Sequence, residues 1–213
     1  MEHRKKAVVA LGMFDGMHLG HRELIRRTVA LAERQRAMPV VYTFLNHPAE
    51  VLGGGARLLS TPEERKKIMR LLGIRQVRMD AFTPELAGLS PEAFLRMLSG
   101  AWRVTGAVCG FNYSFGDKGA GTPETLDALG KRLGFVTEVV RPVLYEDRPV
   151  SSTRVRTAIE DGDMGLAGAL LCRPYTLSGK VVSNRRFGRR IGFPTANMDF
   201  ARDRVLPKAG VYA

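Results

Sequence analysis

Gly12-Met13-Phe14-Asp15-Gly16-Met17-His18-Leu19-Gly20-His21 joins an apolar run, Ala7 to Leu11, to a segment with apolar residues at Leu24, Ile25, Val29, Leu31 and Ala32. The run has the composition of a buried strand, and the later spacing is one face of a helix whose other face carries arginines. Three glycines and two histidines therefore sit between a strand and a helix from His21 to Arg36. At a helix start the backbone N–H groups lack intrahelical partners and the dipole favours negative charge. The stretch is thus expected to receive a phosphate chain.

Moving outward, Pro39 to Phe44 reads as a second buried strand, and Asn46-His47-Pro48 turns the chain out of it. Gly53-Gly54-Gly55 predicts a flexible loop. Thr61-Pro62-Glu63, Ser90-Pro91-Glu92 and Thr122-Pro123-Glu124 each give a hydroxyl N-cap, proline at the first helical position and an acid in the first turn. Short β-type runs alternate with these helices at Gln76 to Met79, Ala107 to Cys109 and Phe135 to Val140. The alternation predicts an α/β fold with a doubly wound parallel sheet covered by helices on both faces. Ligands of such sheets bind beyond the carboxyl ends of the strands. Gly12 to His21, Asn46 to Pro48 and Gly110 to Gly121 all fall there.

From Val150 the chain reads SSTRVRTAIEDGD, a short helix capped by Ser152 or Thr153 and ending near Asp161-Gly162. A second short helix follows from about Met164 to Cys172, and Pro174 breaks the pattern. Beyond Tyr175 come short β-type runs and an arginine-rich turn, Arg185 to Arg190, readable as a surface run or a phosphate-facing loop. A domain boundary near Cys172 is expected, dividing 1–172 from 173–213.

The chain has 213 residues, 45% hydrophobic and 25% charged, an ordinary globular composition. Its two cysteines, Cys109 and Cys172, form neither a disulfide framework nor a zinc pattern. No apolar run approaches the roughly 18 residues of a bilayer span, and the N-terminal apolar stretch is too short for a secretory signal. A cytoplasmic protein without membrane partners is expected. The net charge of +12 admits nucleic acid, an acidic surface or phosphorylated small molecules as partners. Aromatic residues do not interleave with the cluster at Arg22 to Arg36, as a single-strand platform requires.

His18 and His21 admit three readings: metal ligands, structural histidines, or donors to a phosphate. No third ligand lies nearby for a metal cage. Spaced by three at a helix start, the two imidazoles can both face an anion held by the backbone. Ser151 to Arg156, taken alone, is a helix cap.

GMFDGMHLGH resembles the H-x-G-H motif of the nucleotidylyltransferase superfamily and, in its longer form, that of the bacterial bifunctional FAD synthetases. The likeness continues in family order through Gly110-Phe111-Asn112-Tyr113-Ser114-Phe115-Gly116, Val150-Ser151-Ser152-Thr153-Arg154-Val155-Arg156 and Gly192-Phe193-Pro194-Thr195-Ala196-Asn197. The last is similar to the G-F-P-T-A-N of the riboflavin kinase module. The resemblance implies a Rossmann-like adenylyltransferase domain followed by an incomplete β-barrel kinase module. It implies FMN plus ATP giving FAD plus pyrophosphate, with ATP and FMN as substrates and Mg2+ arriving with ATP.

The resemblance assigns phosphate donation to His18 and His21, the catalytic pair. A second clamp falls to Ser152, Thr153 and Arg156, and nucleotide or flavin contacts to Gly12, Phe14, Asp15, Gly20, His47 and Asn112. Asp15 suits a loop-bracing carboxylate better than a catalytic acid, and His47 is either a plain turn histidine or a ligand contact. Thr195 and Asn197 correspond to the magnesium–ATP contacts of the kinase module. Roughly forty residues follow Cys172, short of that module, Asn184 stands where many members carry glycine, and the catalytic carboxylate of the family lies beyond Ala213. A barrel cut there cannot close its edges. No riboflavin kinase activity is therefore expected of the chain as given, and riboflavin is a substrate only of the complete module. Two other functions remain open: nucleotidyl transfer to another phosphorylated acceptor, and a basic nucleic-acid-binding protein. Oligomeric state is not legible in the sequence.

Overall fold

The computed structural model describes residues 4–55, 57–182, 192 and 195–212. Strand β1 (Lys6–Leu11), β2 (Met38–Phe44), β3 (Gln76–Asp80), β4 (Arg103–Gly110) and β5 (Val136–Val140) form one sheet in the order β3-β2-β1-β4-β5. Every pairing in it is parallel, with Leu11 opposite both Tyr42 and Cys109. Helices α1 (Leu19–Arg34), α3 (Pro62–Leu71), α5 (Pro91–Ala101) and α6 (Pro123–Leu133) supply the crossovers; α2 (Pro48–Val51) and α4 (Pro84–Ala87) are single turns.

The alternation of β1 explains both layers. Ala7, Val9 and Leu11 join Phe94, Leu95, Leu98 and Leu126 on one face. Val8 and Ala10 join Leu24, Ile25, Leu31 and Met69 on the other. All five of these β1 residues are fully or almost fully buried. A strand covered on both faces needs side chains without polar atoms, hence its continuous apolar run.

The three Thr/Ser-Pro-Glu starts behave as their sequence predicts. Thr61, Ser90 and Thr122 each accept the N3 backbone N–H, and Glu64 returns a bond to the Thr61 N–H to complete a capping box. Two other boundaries differ from expectation. The turn after β1 is shorter than predicted, because His18 is the N-cap and Gly20 and His21 already lie in the first turn of α1. Likewise Ser151, not Ser152 or Thr153, caps α7 (Ser152–Asp161), accepting the Arg154 N–H at 3.2 Å. A sequence of three consecutive hydroxyls leaves the cap ambiguous by one or two residues, and extended φ/ψ at Ser151 settles it.

A hairpin of β6 (Leu144–Tyr145) and β7 (Arg148–Pro149) precedes α7, turning through Glu146 and Asp147 at positive φ. Helix α7 and α8 (Met164–Leu171) pack on Leu59 and on Val205, making a third apolar cluster. Beyond α8, β8 (Lys180–Val182) and β9 (Asn197–Asp199) pair antiparallel. Asn184, Arg185 to Arg190, Phe193 and Pro194 lie outside the described residues.

The chain runs outward from β1 through β2 to β3, then returns across β1 to place β4 on its other side. The carboxyl ends of β1 and β4 therefore flank the point where strand order reverses, where doubly wound sheets open a crevice. Residues 12–21 and 110–121 emerge on its two sides.

Candidate active site

The turn between β1 and α1 is conformationally demanding. Phe14 (φ 56), Gly16 (φ 81) and Met17 (φ 50) are all left-handed. Such geometry at non-glycine residues costs about 1 kcal/mol or more each and persists only where the surroundings over-determine it. A Cβ on Gly16 would lie 2.8 Å from Leu59 Cδ1. The Gly16 N–H donates to Ser60 Oγ at 2.8 Å. Asp15, 1% exposed, accepts from Leu59 N, Ser60 N, Ser60 Oγ and Arg156 Nη2. Its carboxylate thus braces the loop, with four donors satisfying the buried charge.

His18 is almost fully buried, and its Nδ1 faces the His21 N–H at 3.4 Å. That contact assigns the proton of a neutral imidazole to Nε2. The His18 and His21 rings stack at 3.6 Å between centroids. Burial, reinforced by Arg156, holds the His18 pKa down at about 4. Burial, with His18 and Arg65 nearby, keeps His21 well below the ordinary histidine range. Both rings are therefore neutral N–H donors at pH 7. Gly20 leaves them room, since a Cβ there would sit 3.2 Å from His18 Cε1.

A second helix start closes on the first. Ser152 Oγ donates to the Asp15 carbonyl at 3.0 Å, and the Val150 carbonyl lies 3.9 Å from where a Gly20 Cβ would stand. The N-termini of α1 and α7 consequently converge, with Arg156 held between Asp15 Oδ2 and the Arg57 carbonyl, both at 2.8 Å. Thr153 is exposed on the first turn of α7.

His21, Gly12 and Asn112 border an apolar cavity of about 360 Å3 whose walls include Phe44, Phe82 and Phe115. On the opposite side of α1, Leu19, Arg22 and the residues Val140 to Val143 at the end of β5 line a second cleft of about 870 Å3. The helix N-terminus divides the two.

Other expected site residues fall differently. The Phe14 side chain is fully buried among core residues and meets the site only through the His21 ring, 5.3 Å between centroids. Its aromatic side chain serves packing in the core. His47 caps α2, its Nδ1 accepting the Ala49 N–H at 3.1 Å, yet Arg156 contributes to lowering its pKa after burial. It caps a turn beside the site. Thr195 is exposed and Asn197 pairs with Val182 between β8 and β9. Among the described residues no three His, Cys, Asp or Glu side chains cluster as a metal cage.

Arg65 was not legible. Fully buried, it donates to the Met13 carbonyl at 2.9 Å and the Leu45 carbonyl at 3.1 Å, tying the ends of β1 and β2 together. In sequence it is one charge among several on α3, and only tertiary packing distinguishes it.

Comparison with known proteins decides the lineage of this constellation. Residues 1–154 match the family model for FAD synthetase, and residues 171–213 match that for riboflavin kinase. The chain belongs to the FAD synthetase family. Among curated members, it is 36% identical to the bifunctional riboflavin kinase/FMN adenylyltransferase of Bacillus subtilis, over 100% of this chain and 68% of that protein. With the protein of the same description from Listeria monocytogenes it shares 38% identity over 97% of this chain and 66% of that one. A Streptococcus pneumoniae crystal structure described as a macrolide-efflux protein superposes with a TM-score of 0.89 at 33% identity, covering 98% of this chain and 68% of that one. The chain thus spans about two thirds of the length of these FAD synthetase relatives. Among the described residues no helix is long and apolar enough to cross a membrane.

Proposed function

We propose that residues 1–172 transfer AMP from ATP to FMN, forming FAD and releasing pyrophosphate. The observation that carries this is the meeting of two helix N-termini at neutral His18, His21 and Arg156, between an aromatic-walled cavity and an arginine-lined cleft. An isoalloxazine ring suits the aromatic cavity, and the nucleotide suits the cleft beside Arg22 and Arg141. The phosphates then meet at the helix termini between them.

An oxygen of the FMN phosphate attacks the α-phosphorus of ATP, a new P–O bond forms, and the bond to the β-phosphate bridging oxygen breaks. The nucleophile is already an anion, so no proton is removed and no general base is required. His18 Nε2–H and the His21 imidazole donate to the phosphates, and Arg156 offsets charge building on the departing pyrophosphate. Ser152 and the free N–H groups around Thr153 complete the second clamp. Gly12 and Asn112 border the flavin, while Asp15 acts through Arg156. Asp15, the carboxylate at this point among the described residues, is saturated by four donors. ATP is accordingly used as its Mg2+ complex, with the metal carried by the triphosphate.

Residues 173–213 belong to the riboflavin kinase module, in which Thr195 and Asn197 serve as magnesium–ATP contacts and riboflavin as substrate only where the module is complete. The net charge of +12 suits phosphorylated small-molecule substrates, whose anionic groups the arginine-lined cleft can meet. The test is incubation with FMN, ATP and Mg2+, following FAD and pyrophosphate. Absence of both from folded protein removes the assignment, and faster turnover of a different phosphorylated acceptor in competition with FMN reassigns the substrate.

A further inference from the structure

The segment matched to riboflavin kinase is not confined to its own module. It reaches back to the turn that carries the histidines. Arg173, half-buried just after α8, donates from Nη1 to the Gly16 carbonyl at 3.0 Å. Gly16 lies between Asp15 and the left-handed Met17, two residues before His18. The same segment grips the loop on which Asp15 rests. Arg204, 4% exposed, donates to the Leu59 carbonyl at 3.1 Å, while the Leu59 N–H donates to Asp15 at 3.0 Å. Val205 N–H donates to the Leu58 carbonyl, and Val205 is fully buried against α7 and α8.

We propose that Arg173 is a positioning residue for adenylyl transfer, holding through the Gly16 carbonyl the strained turn that presents His18 and His21 to the phosphates. The inference rests on the adenylyl-transfer reading above. A turn with left-handed Phe14 and Met17 keeps its shape only while its neighbours fix it. The Gly16 N–H is fixed by Ser60 Oγ and the Gly16 carbonyl by Arg173, so the peptide planes on both sides of Gly16 are pinned. Losing the carbonyl anchor frees one plane and misplaces donors that matter when charge moves, without emptying either substrate cleft. A boundary drawn at Cys172 therefore cuts through the working unit of the first site.

The test compares steady-state FAD formation by the wild type and by Arg173→Ala, Arg173→Lys and Arg202→Ala in the full chain. Folding is checked by near-UV circular dichroism. Arg202 is exposed on the same segment and controls for lost charge. For Arg173→Ala, kcat is expected to fall at least about tenfold, equivalent to about 1.4 kcal/mol, with KM for FMN and ATP within about twofold of wild type. Arg173→Lys, which keeps a donor of similar reach, is expected to recover part of the loss, and Arg202→Ala to match wild type. A folded Arg173→Ala with wild-type kcat overturns the proposal, as does a change confined to KM or an equal loss in Arg202→Ala. Should Arg173→Ala not fold, Arg173→Lys decides: kcat reduced at unchanged KM supports positioning, and wild-type kcat overturns it. No FAD from the wild type would remove the function reading itself, an outcome distinct from these.

Discussion

Arg156 Nη2 donates to Asp15 Oδ2 at 2.8 Å across 141 residues of sequence. The pair locks the N-terminus of α7 to the turn before α1, so two helix starts share one buried charge. Asp15 also takes two backbone N–H groups and a hydroxyl. Asp15→Asn preserves shape but aims an amide NH2 into a nest of donors and strips Arg156 of its counter-charge. Breaking a buried pair from one side costs about 3 kcal/mol or more. Urea unfolding should show that loss, and kcat for FAD should fall at least about tenfold because Arg156 no longer has a fixed place. Unchanged stability would mean that the bracing role is wrong.

His18 makes stability depend on pH in a defined direction. Its pKa is near 4 in the fold against 6.5 unfolded, with burial the larger cause and Arg156 the next. The folded state resists protonation. The group's contribution is complete above pH 6.5, where neither state is protonated. It declines as pH falls toward 4, because only the unfolded chain takes up the proton. The span corresponds to about 3 kcal/mol. His18→Asn keeps an N-cap acceptor and removes the titration. Denaturant midpoints between pH 7 and 4 should therefore fall more steeply for the wild type than for the variant. Parallel profiles would show that His18 does not titrate in this way.

The two predictions mark what sequence can and cannot reveal. The caps at Thr61, Ser90 and Thr122 were legible because a cap is a contact across three residues, written in local chemistry. The layered fold was legible because β1 is apolar on both faces. Strand order was not, since nothing local in β4 says that it pairs with β1 rather than β3. The histidine pair and Arg156 were found as motifs, but their joint anchor, Asp15 on Leu59 and Ser60, spans more than forty residues. Phe14 stands inside the motif, yet its side chain is core. Arg65 and Arg173 carry no local signal, because their partners are backbone carbonyls that any sequence supplies.

The aromatic-walled cavity beside Gly12 and Asn112 depends on a tight contact in the loop after β4. A Cβ on Gly121 would lie 2.6 Å from Phe115 Cε1, and Phe115 forms part of the cavity wall. The ring is packed against Phe94 and Tyr113, so it has little room to retreat except into the cavity. Gly121→Ala should cost about 1–3 kcal/mol of stability by overpacking. It should also raise KM for FMN several-fold while KM for ATP stays near wild type, because the second cleft lies across α1. Equal increases for both substrates would separate Phe115 from flavin binding.

The two cysteines offer a probe of the sheet itself. Cys172 is exposed at the end of α8, whereas Cys109 is fully buried on β4, and burial pushes its thiol pKa up to about 12. Thiolate is the reacting form, so Cys109 is protected both by access and by ionisation. A chromogenic disulfide reagent should titrate one thiol per native chain rapidly and the second only after β4 opens. β4 lies inside the parallel sheet between β1 and β5, so that opening requires breaking its ladders on both sides. In urea, the slow phase should accelerate in step with global unfolding, and Cys172→Ser should abolish the fast phase alone. Two rapid thiols in the native protein would contradict the interior place of β4.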